Sequence, residues 1–221
     1  MMTQKDISAD KIRVRTNILK TFEASAIAFL CKIMPSWVTS DLLTFVGFTG
    51  SLIVAAGLYL GTDNRYWLFL SVLGYAVGWF GDSLDGRLAY FRNIPRKWYG
   101  WALDISVDWI TVFIMGAGYY YYFTDYKFFA FVFVFAYGWA MINSLLKYKI
   151  TNTYSIDTFL MGPTEVRIII CLFMAAEVFL SGSLLFLSIG GSLLLAIFNI
   201  VDLVQLLKFG DIRDIEEKSQ K

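Results

Sequence analysis

Four aspartates, Asp82, Asp85, Asp104 and Asp108, lie in a stretch otherwise apolar enough to enter a bilayer. If Asp82 and Asp85 end one membrane helix and Asp104 and Asp108 begin the next, the i,i+3 and i,i+4 spacings put each pair on one helix face. Both faces can then meet at one depth. Four converging carboxylates repel one another strongly in a low dielectric, so protonation or a bound cation has to neutralise them. An all-oxygen cluster suits Mg²⁺, Mn²⁺ or Ca²⁺. With no histidine and only two cysteines in the chain, a zinc site is not expected. The structural alternative is a buried network satisfied by Arg87, Arg92 and backbone, against which stands the rule that acids within a membrane are functional by default.

The elements that must position these acids follow from composition and periodicity. In a chain of 221 residues, 57% hydrophobic and 18% aromatic, with a positive mean hydropathy, the expectation is a single integral membrane domain over 1–221. From Lys11 to Met34, Ile18, Phe22, Ala26, Phe29 and Ile33 recur at helical spacing among Lys11, Arg15, Lys20 and Lys32. That pattern predicts an amphipathic helix over 11–34, lying in the headgroup layer or else packed as a cytosolic helix on the protein. No cleavable signal peptide is expected ahead of it. Pro35 breaks this helix, and Ser40 with Asp41 can cap the next.

Leu42–Leu60 is uncharged and long enough to cross the hydrocarbon. Tyr66–Gly81 and Trp109–Thr124 reach spanning length only if the two acid pairs lie inside the membrane's near edge. Phe128–Leu146 is a fourth span. Ile168–Val201 is too long for one helix and is divided by a turn at Ser181-Gly182-Ser183. The predicted fold is therefore all-α, with six transmembrane helices over 41–208, the amphipathic helix before them and a cytosolic tail over 209–221. In this topology the loops carrying Arg92, Arg96, Lys97, Lys147 and Lys149 share one side, and only Arg65 and Lys127 fall on the other. By the positive-inside rule the aspartates open to the cytosol. Cys31 and Cys171 are expected as small apolar residues without a disulfide.

The aspartates also sit in a longer pattern. Asp82-x-x-Asp85-Gly86-x-x-Ala89, then Gly100-x-x-x-Asp104-x-x-x-Asp108, resembles the motif D-x-x-D-G-x-x-A-R-x8-G-x-x-x-D-x-x-x-D of the CDP-alcohol phosphotransferase family. Seven of its eight fixed positions are present, with Tyr90 in place of the arginine and nine residues rather than eight before Gly100. The segment from Val38 to Thr44 resembles that family's I-T-P-N-x-L-T, with Ser40 where proline is common.

The resemblance implies transfer of a substituted phosphate from a CDP-linked lipid donor to a small polar alcohol, with release of CMP. It implies two divalent ions, Mg²⁺ or Mn²⁺, held by Asp82, Asp85, Asp104 and Asp108, with Asp108 as general base toward the acceptor hydroxyl. Gly86 and Ala89, with Gly100, Arg87 and Arg92, would serve the nucleotide and pyrophosphate; the small residues have tight helix packing as their alternative explanation. Lys147, Lys149 and Arg167 either hold an anionic acceptor or are positive-inside flanking residues. The first reading favours CDP-diacylglycerol as donor and an acceptor of the inositol phosphate or glycerol 3-phosphate type.

Gly162-Pro163-Thr164-Glu165 resembles a tetrapeptide of choline and ethanolamine phosphotransferases in the same family, and keeps diacylglycerol as an alternative acceptor; helix initiation by Pro163 with Glu165 in the first turn explains it equally without function. The rival from another class is a cation transporter, which needs polar residues continuing to the far side, where Tyr119–Phe123 instead forms an aromatic belt. A bacterial inner membrane, a homodimer and no nucleic-acid partner complete the expectations.

Overall fold

The computed structural model describes residues 19–151 and 163–219. Helix α1 (Lys20–Ile33) ends where Pro35 follows Met34, which is extended at φ −67° and ψ 124°, since a residue before proline clashes in the helical region. The elbow that follows is gripped by Arg92, whose guanidinium donates to the carbonyls of Met34, Pro35, Ser36 and Val38. Helix α2 (Ser40–Gly61) is capped by Thr39, whose hydroxyl accepts from the Leu42 amide at 3.2 Å. Ser40 and Asp41, expected as the cap, are instead the first helical residues, because it is Thr39 that has the extended backbone a cap requires.

A single 3-10 turn (Arg65–Trp67) leads into α3 (Leu68–Phe91), followed by α4 (Lys97–Tyr122), α5 (Lys127–Thr151), α6 (Pro163–Phe179) and α7 (Ser183–Ser219). Five of these segments are long and apolar enough to cross a membrane: α2, Arg65–Phe91, α4, α5 and α7. Six spans were expected. Among the described residues helix α6 is the one that falls short, because its 17 residues extend only about 26 Å and include Glu165, Arg167 and Glu177. Helix α7 departs in the other direction. Its 37 residues run without a break through Lys208 and Gly210, so residues 209–219 of the expected tail continue the helix.

Packing places α2 against both α3 and α4, while α3 and α4 are splayed from each other. Helices α4, α5, α7, α6 and α3 follow one another round a ring. The tightest seam is between α2 and α3, where Gly47, Gly50 and Gly57 face Gly81, Gly78, Gly74 and Ser71. A Cβ added at Gly50 would stand 2.5 Å from the Gly78 nitrogen, and one at Gly74 would stand 2.7 Å from that of Val54. Only glycine lets the two backbones approach so closely, which is how helices associate where lipid removes the hydrophobic drive.

On either side of the splayed region sits an apolar cluster. One joins Val54, Leu58, Leu68, Tyr119, Met174 and Leu184, and the other joins Ile27, Cys31, Val38, Leu43, Leu84 and Leu88. The second cluster seats α1. Its buried stripe is Glu23, Ile27 and Cys31, whereas Phe29 and Ile33, expected on the working apolar face, are 61% and 58% exposed. Helix α1 thus packs on the protein with one face and offers Phe29, Ile33 and Lys32 outward with another. Lys11, Arg15, Ile18 and Asp157 lie outside the described residues. Both cysteines are free, and burial pushes the Cys31 thiol up despite Arg87 and Arg92 nearby.

Candidate functional site

Asp82 and Asp85 lie on α3, and Asp104 and Asp108 on α4, each pair inside its helix rather than in a loop. Across the gap between the splayed helices, one carboxylate oxygen from each of Asp82, Asp104 and Asp108 lies within 4.8 Å of the other two. Hard divalent cations take oxygen ligands at about 2.0–2.6 Å, so this all-carboxylate set fits such an ion with small side-chain adjustment. Its charge calls for one as well.

Asp85 opens into the same cavity but is held differently from what convergence of all four carboxylates requires. Its Oδ2 accepts from the Thr44 hydroxyl at 2.7 Å, its Oδ1 from the Gly86 amide at 2.5 Å, and its carbonyl from Ser40 Oγ at 2.8 Å. Three acids therefore gather directly, and the N-terminal turns of α2 hold the fourth beside them. The Thr44 and Ser40 contacts were not foreseen. Their signal is a hydroxyl at each end of the first turn of a helix packed against the acid-bearing one.

The cavity encloses about 50 Å³ and is lined by Thr44, Ser51, Tyr75, Thr111, Met115 and Arg167 besides the four acids. Its inner end meets the buried Tyr75–Tyr119 hydroxyl pair, 3.4 Å apart. Arg167 reaches across from α6 and its Nη2 donates to Asp82 Oδ2 at 2.5 Å. Among Lys147, Lys149 and Arg167, only Arg167 is brought to the acids. Lys147 and Lys149 end α5 without lining the cavity, and Arg213 caps that end by donating to the Lys149 and Ile150 carbonyls.

The small residues expected beside a nucleotide are not demanded by packing. A Cβ at Gly86 or at Gly100 meets nothing within 4 Å, in contrast to the α2–α3 glycines. Ala89 lies one turn beyond Asp85 on α3 and is half-buried. The two arginines expected there point elsewhere. Arg87 turns to α1, its Nη2 3.4 Å from Glu23 Oε1, while Arg92 is spent on the four elbow carbonyls. Neither lines the cavity: the helical period carries Arg87 to the side of α3 facing α1, and Arg92, the C-cap residue of α3, turns to the elbow. Tyr90, at the family's arginine position, is 50% exposed.

Three acids outside the cluster have architectural partners. Glu177 accepts from the Tyr122 hydroxyl and from the amides of Gly182 and Leu184, which locks the α6–α7 hairpin at Gly182, φ +96°. Glu165 accepts from the Leu19 amide at 2.9 Å, and Thr164 donates to Glu23 at 3.3 Å. These contacts tie α1 to the start of α6.

The fold and the site together define an all-helical protein with membrane-spanning helices and an acidic centre between two of them. No protein-family model and no curated protein matches the sequence. Among solved structures, the chain is similar to Mycobacterium tuberculosis phosphatidylinositol phosphate synthase with CDP-DAG bound, at 20% identity and a TM-score of 0.55, over 86% of this chain and 93% of that one. The two chains share a fold over nearly their whole lengths, so the likeness first drawn from the aspartate motif extends to the architecture.

Proposed function

We propose that this chain is a CDP-alcohol phosphotransferase that moves a phosphatidyl group from CDP-diacylglycerol to the hydroxyl of a small polar alcohol, releasing CMP. The observation that carries the reading is the group of Asp82, Asp104 and Asp108 facing one another across splayed helices, in a fold shared with an enzyme solved with CDP-DAG bound. Asp82, Asp104 and Asp108, with Asp85 beside them, would hold Mg²⁺ or Mn²⁺, two ions by the family resemblance. When bound, the metal supplies positive charge to the donor's phosphates and to the departing oxygen.

The residues of this chain do the rest. Gly86, Ala89 and Gly100 leave room for the nucleotide against α3 and α4. Thr44 and Ser40 fix Asp85. Asp108 takes the proton from the acceptor hydroxyl as its oxygen bonds to the lipid-bearing phosphorus, and the bond from that phosphorus to CMP breaks with the electron pair leaving on CMP. Arg167, the arginine lining the cavity, supports an acceptor that carries its own negative charge, of the inositol phosphate or glycerol 3-phosphate type. Thr164 and Glu165 hold α1 to α6, and this use of the tetrapeptide leaves the choline and ethanolamine reading without an observation of its own.

The same reading takes the chain as one domain with six spans, α6 counted among them. The acids then face the cytosol of a bacterial inner membrane, with Arg92, Arg96, Lys97, Lys147 and Lys149 on that side, and the protein works as a homodimer. The test is CMP release from CDP-diacylglycerol in detergent with Mg²⁺, screened over inositol phosphate, glycerol 3-phosphate, inositol and serine, with Asp108→Asn as control. Acceptor-dependent CMP that disappears in the variant is the expected result. Release from neither CDP-diacylglycerol nor a CDP-amino-alcohol with diacylglycerol would overturn the reading.

A further inference from the structure

The acid centre has a charge problem that its metal ligands cannot solve alone. A CDP-linked lipid brings two phosphate charges to a site that already holds Asp82, Asp85, Asp104 and Asp108, with Asp41 nearby on the first turn of α2. Of the arginines near it, Arg167 lies inside the cavity on Asp82, where the reading above gives it to the acceptor, Arg87 faces Glu23 on α1, and Arg92 donates to four elbow carbonyls. Arg96 is placed differently. It ends the loop between α3 and α4, its guanidinium contacts Asp41 on the first turn of α2, and it lies 4.2 Å from the Tyr99 ring centroid.

Three observations put that guanidinium close to the acid centre, though it does not itself line the cavity. Asp41 is bracketed by Ser40 and Thr44, both of which donate to Asp85. The Arg96 carbonyl accepts from the Gly100 amide at 2.7 Å, so Arg96 stands one turn before Gly100 and two before Asp104. A Cβ at Gly86 or Gly100 meets nothing within 4 Å, so a ligand approaching these turns displaces no packed neighbour. Arg96 is also cheap to redirect, since both partners of its ion pair are about half exposed, at 52% and 45%, and exposed pairs of this kind are weak.

Resting on the transferase reading above, we propose that Arg96 is the diphosphate-binding residue of the donor site, swinging from Asp41 to a phosphate of the CDP-linked lipid and supplying the charge that Tyr90 does not. A guanidinium suits the task because its planar fork donates two parallel hydrogen bonds to one phosphate. Asp41 is then its resting partner, which holds the side chain close to the acid centre between turnovers.

The experiment compares wild type, Arg96→Ala, Arg96→Lys, Asp41→Asn and the double variant Arg96→Ala with Tyr90→Arg in one detergent. It reads the donor KM in CMP release and the rise in unfolding temperature produced by CDP-diacylglycerol, the second readout needing no acceptor. Arg96→Ala is expected to raise the donor KM about tenfold or more and to lose the donor-induced rise, with acceptor KM and Mg²⁺ dependence unchanged. Arg96→Lys recovers part of the loss, and the double variant recovers part through Tyr90→Arg.

Asp41→Asn separates this from a merely structural contact. It frees the guanidinium, so the donor KM stays or falls, whereas a structural role predicts the same damage as Arg96→Ala. A donor KM within twofold of wild type in Arg96→Ala, or equal damage from Asp41→Asn, overturns the inference while CMP release by wild type still stands. A wild type that neither turns over nor is stabilised by any CDP-linked lipid overturns the transferase reading itself, and this inference with it.

Discussion

Adding one methyl group at Gly50 tests whether the α2–α3 glycine seam sets the geometry of the acid centre. In Gly50→Ala the new carbon would stand 2.5 Å from the Gly78 nitrogen and 2.7 Å from the Gly74 carbonyl oxygen, against 3.4 Å for an ordinary contact. Both neighbours are backbone and cannot rotate away, so α2 has to retreat from α3 by about 0.9 Å. A gap of that size costs about 1–3 kcal/mol in strain and lost dispersion along the seam. It also lengthens the Thr44–Asp85 bond from 2.7 Å to about 3.6 Å, beyond hydrogen-bonding range. Misplacement on the order of 1 Å costs about 10²-fold in rate.

The internal control is Gly86→Ala, whose added carbon meets nothing. It should unfold at the wild-type temperature and lose activity only through its donor KM. The assays are thermal unfolding in detergent and CMP release. Gly50→Ala should unfold on the order of 5 °C lower and turn over about 10²-fold more slowly. A Gly50→Ala protein with wild-type stability and turnover would refute the argument that this seam positions Asp82 and Asp85.

Other perturbations follow from single contacts. Glu177→Ala strands the Tyr122 hydroxyl and the Gly182 and Leu184 amides and should cost about 3 kcal/mol of stability, while CMP release per folded molecule is unchanged; thermal unfolding beside activity checks both. Thr44→Val removes the donor to Asp85 and should lower turnover about tenfold with little change in unfolding temperature, and equal turnover would show that Asp85 needs no such support. Mg²⁺ should raise the unfolding temperature of wild type by mass action on the folded state, and it should do so far less in Asp104→Asn; an equal rise would move the ion away from the acid centre.

Much of this protein is legible in its sequence because one physical rule dominates each part. Membrane solvent turns apolar runs into helices, and it made the aspartate spacings stand out as a site. The hairpin at Gly182 and the helix start at Pro163 follow from local chain chemistry. What stayed hidden depends on which helix lies beside which. The retreat of Arg87 and Arg92 from the cavity requires knowing that α1 folds back onto α3. The role of Glu177 requires the amides of Gly182 and Leu184 to return to it across the turn. The glycines of α2 and α3 were visible as single residues. Their spacings place them on one face of each helix, and only the antiparallel pairing makes them a seam.

The central claim is that Asp82, Asp104 and Asp108 form a metal-dependent transfer centre, and the most direct measurement is the initial rate of CMP release from CDP-diacylglycerol as a function of free Mg²⁺. Wild type and the three single Asp→Asn variants are to be compared in the same detergent with one productive acceptor. The expected result is no release in chelator, saturable activation of wild type by Mg²⁺, and loss of about 10³-fold or more in each variant. Release that persists in chelator, or that survives in the variants, would contradict it.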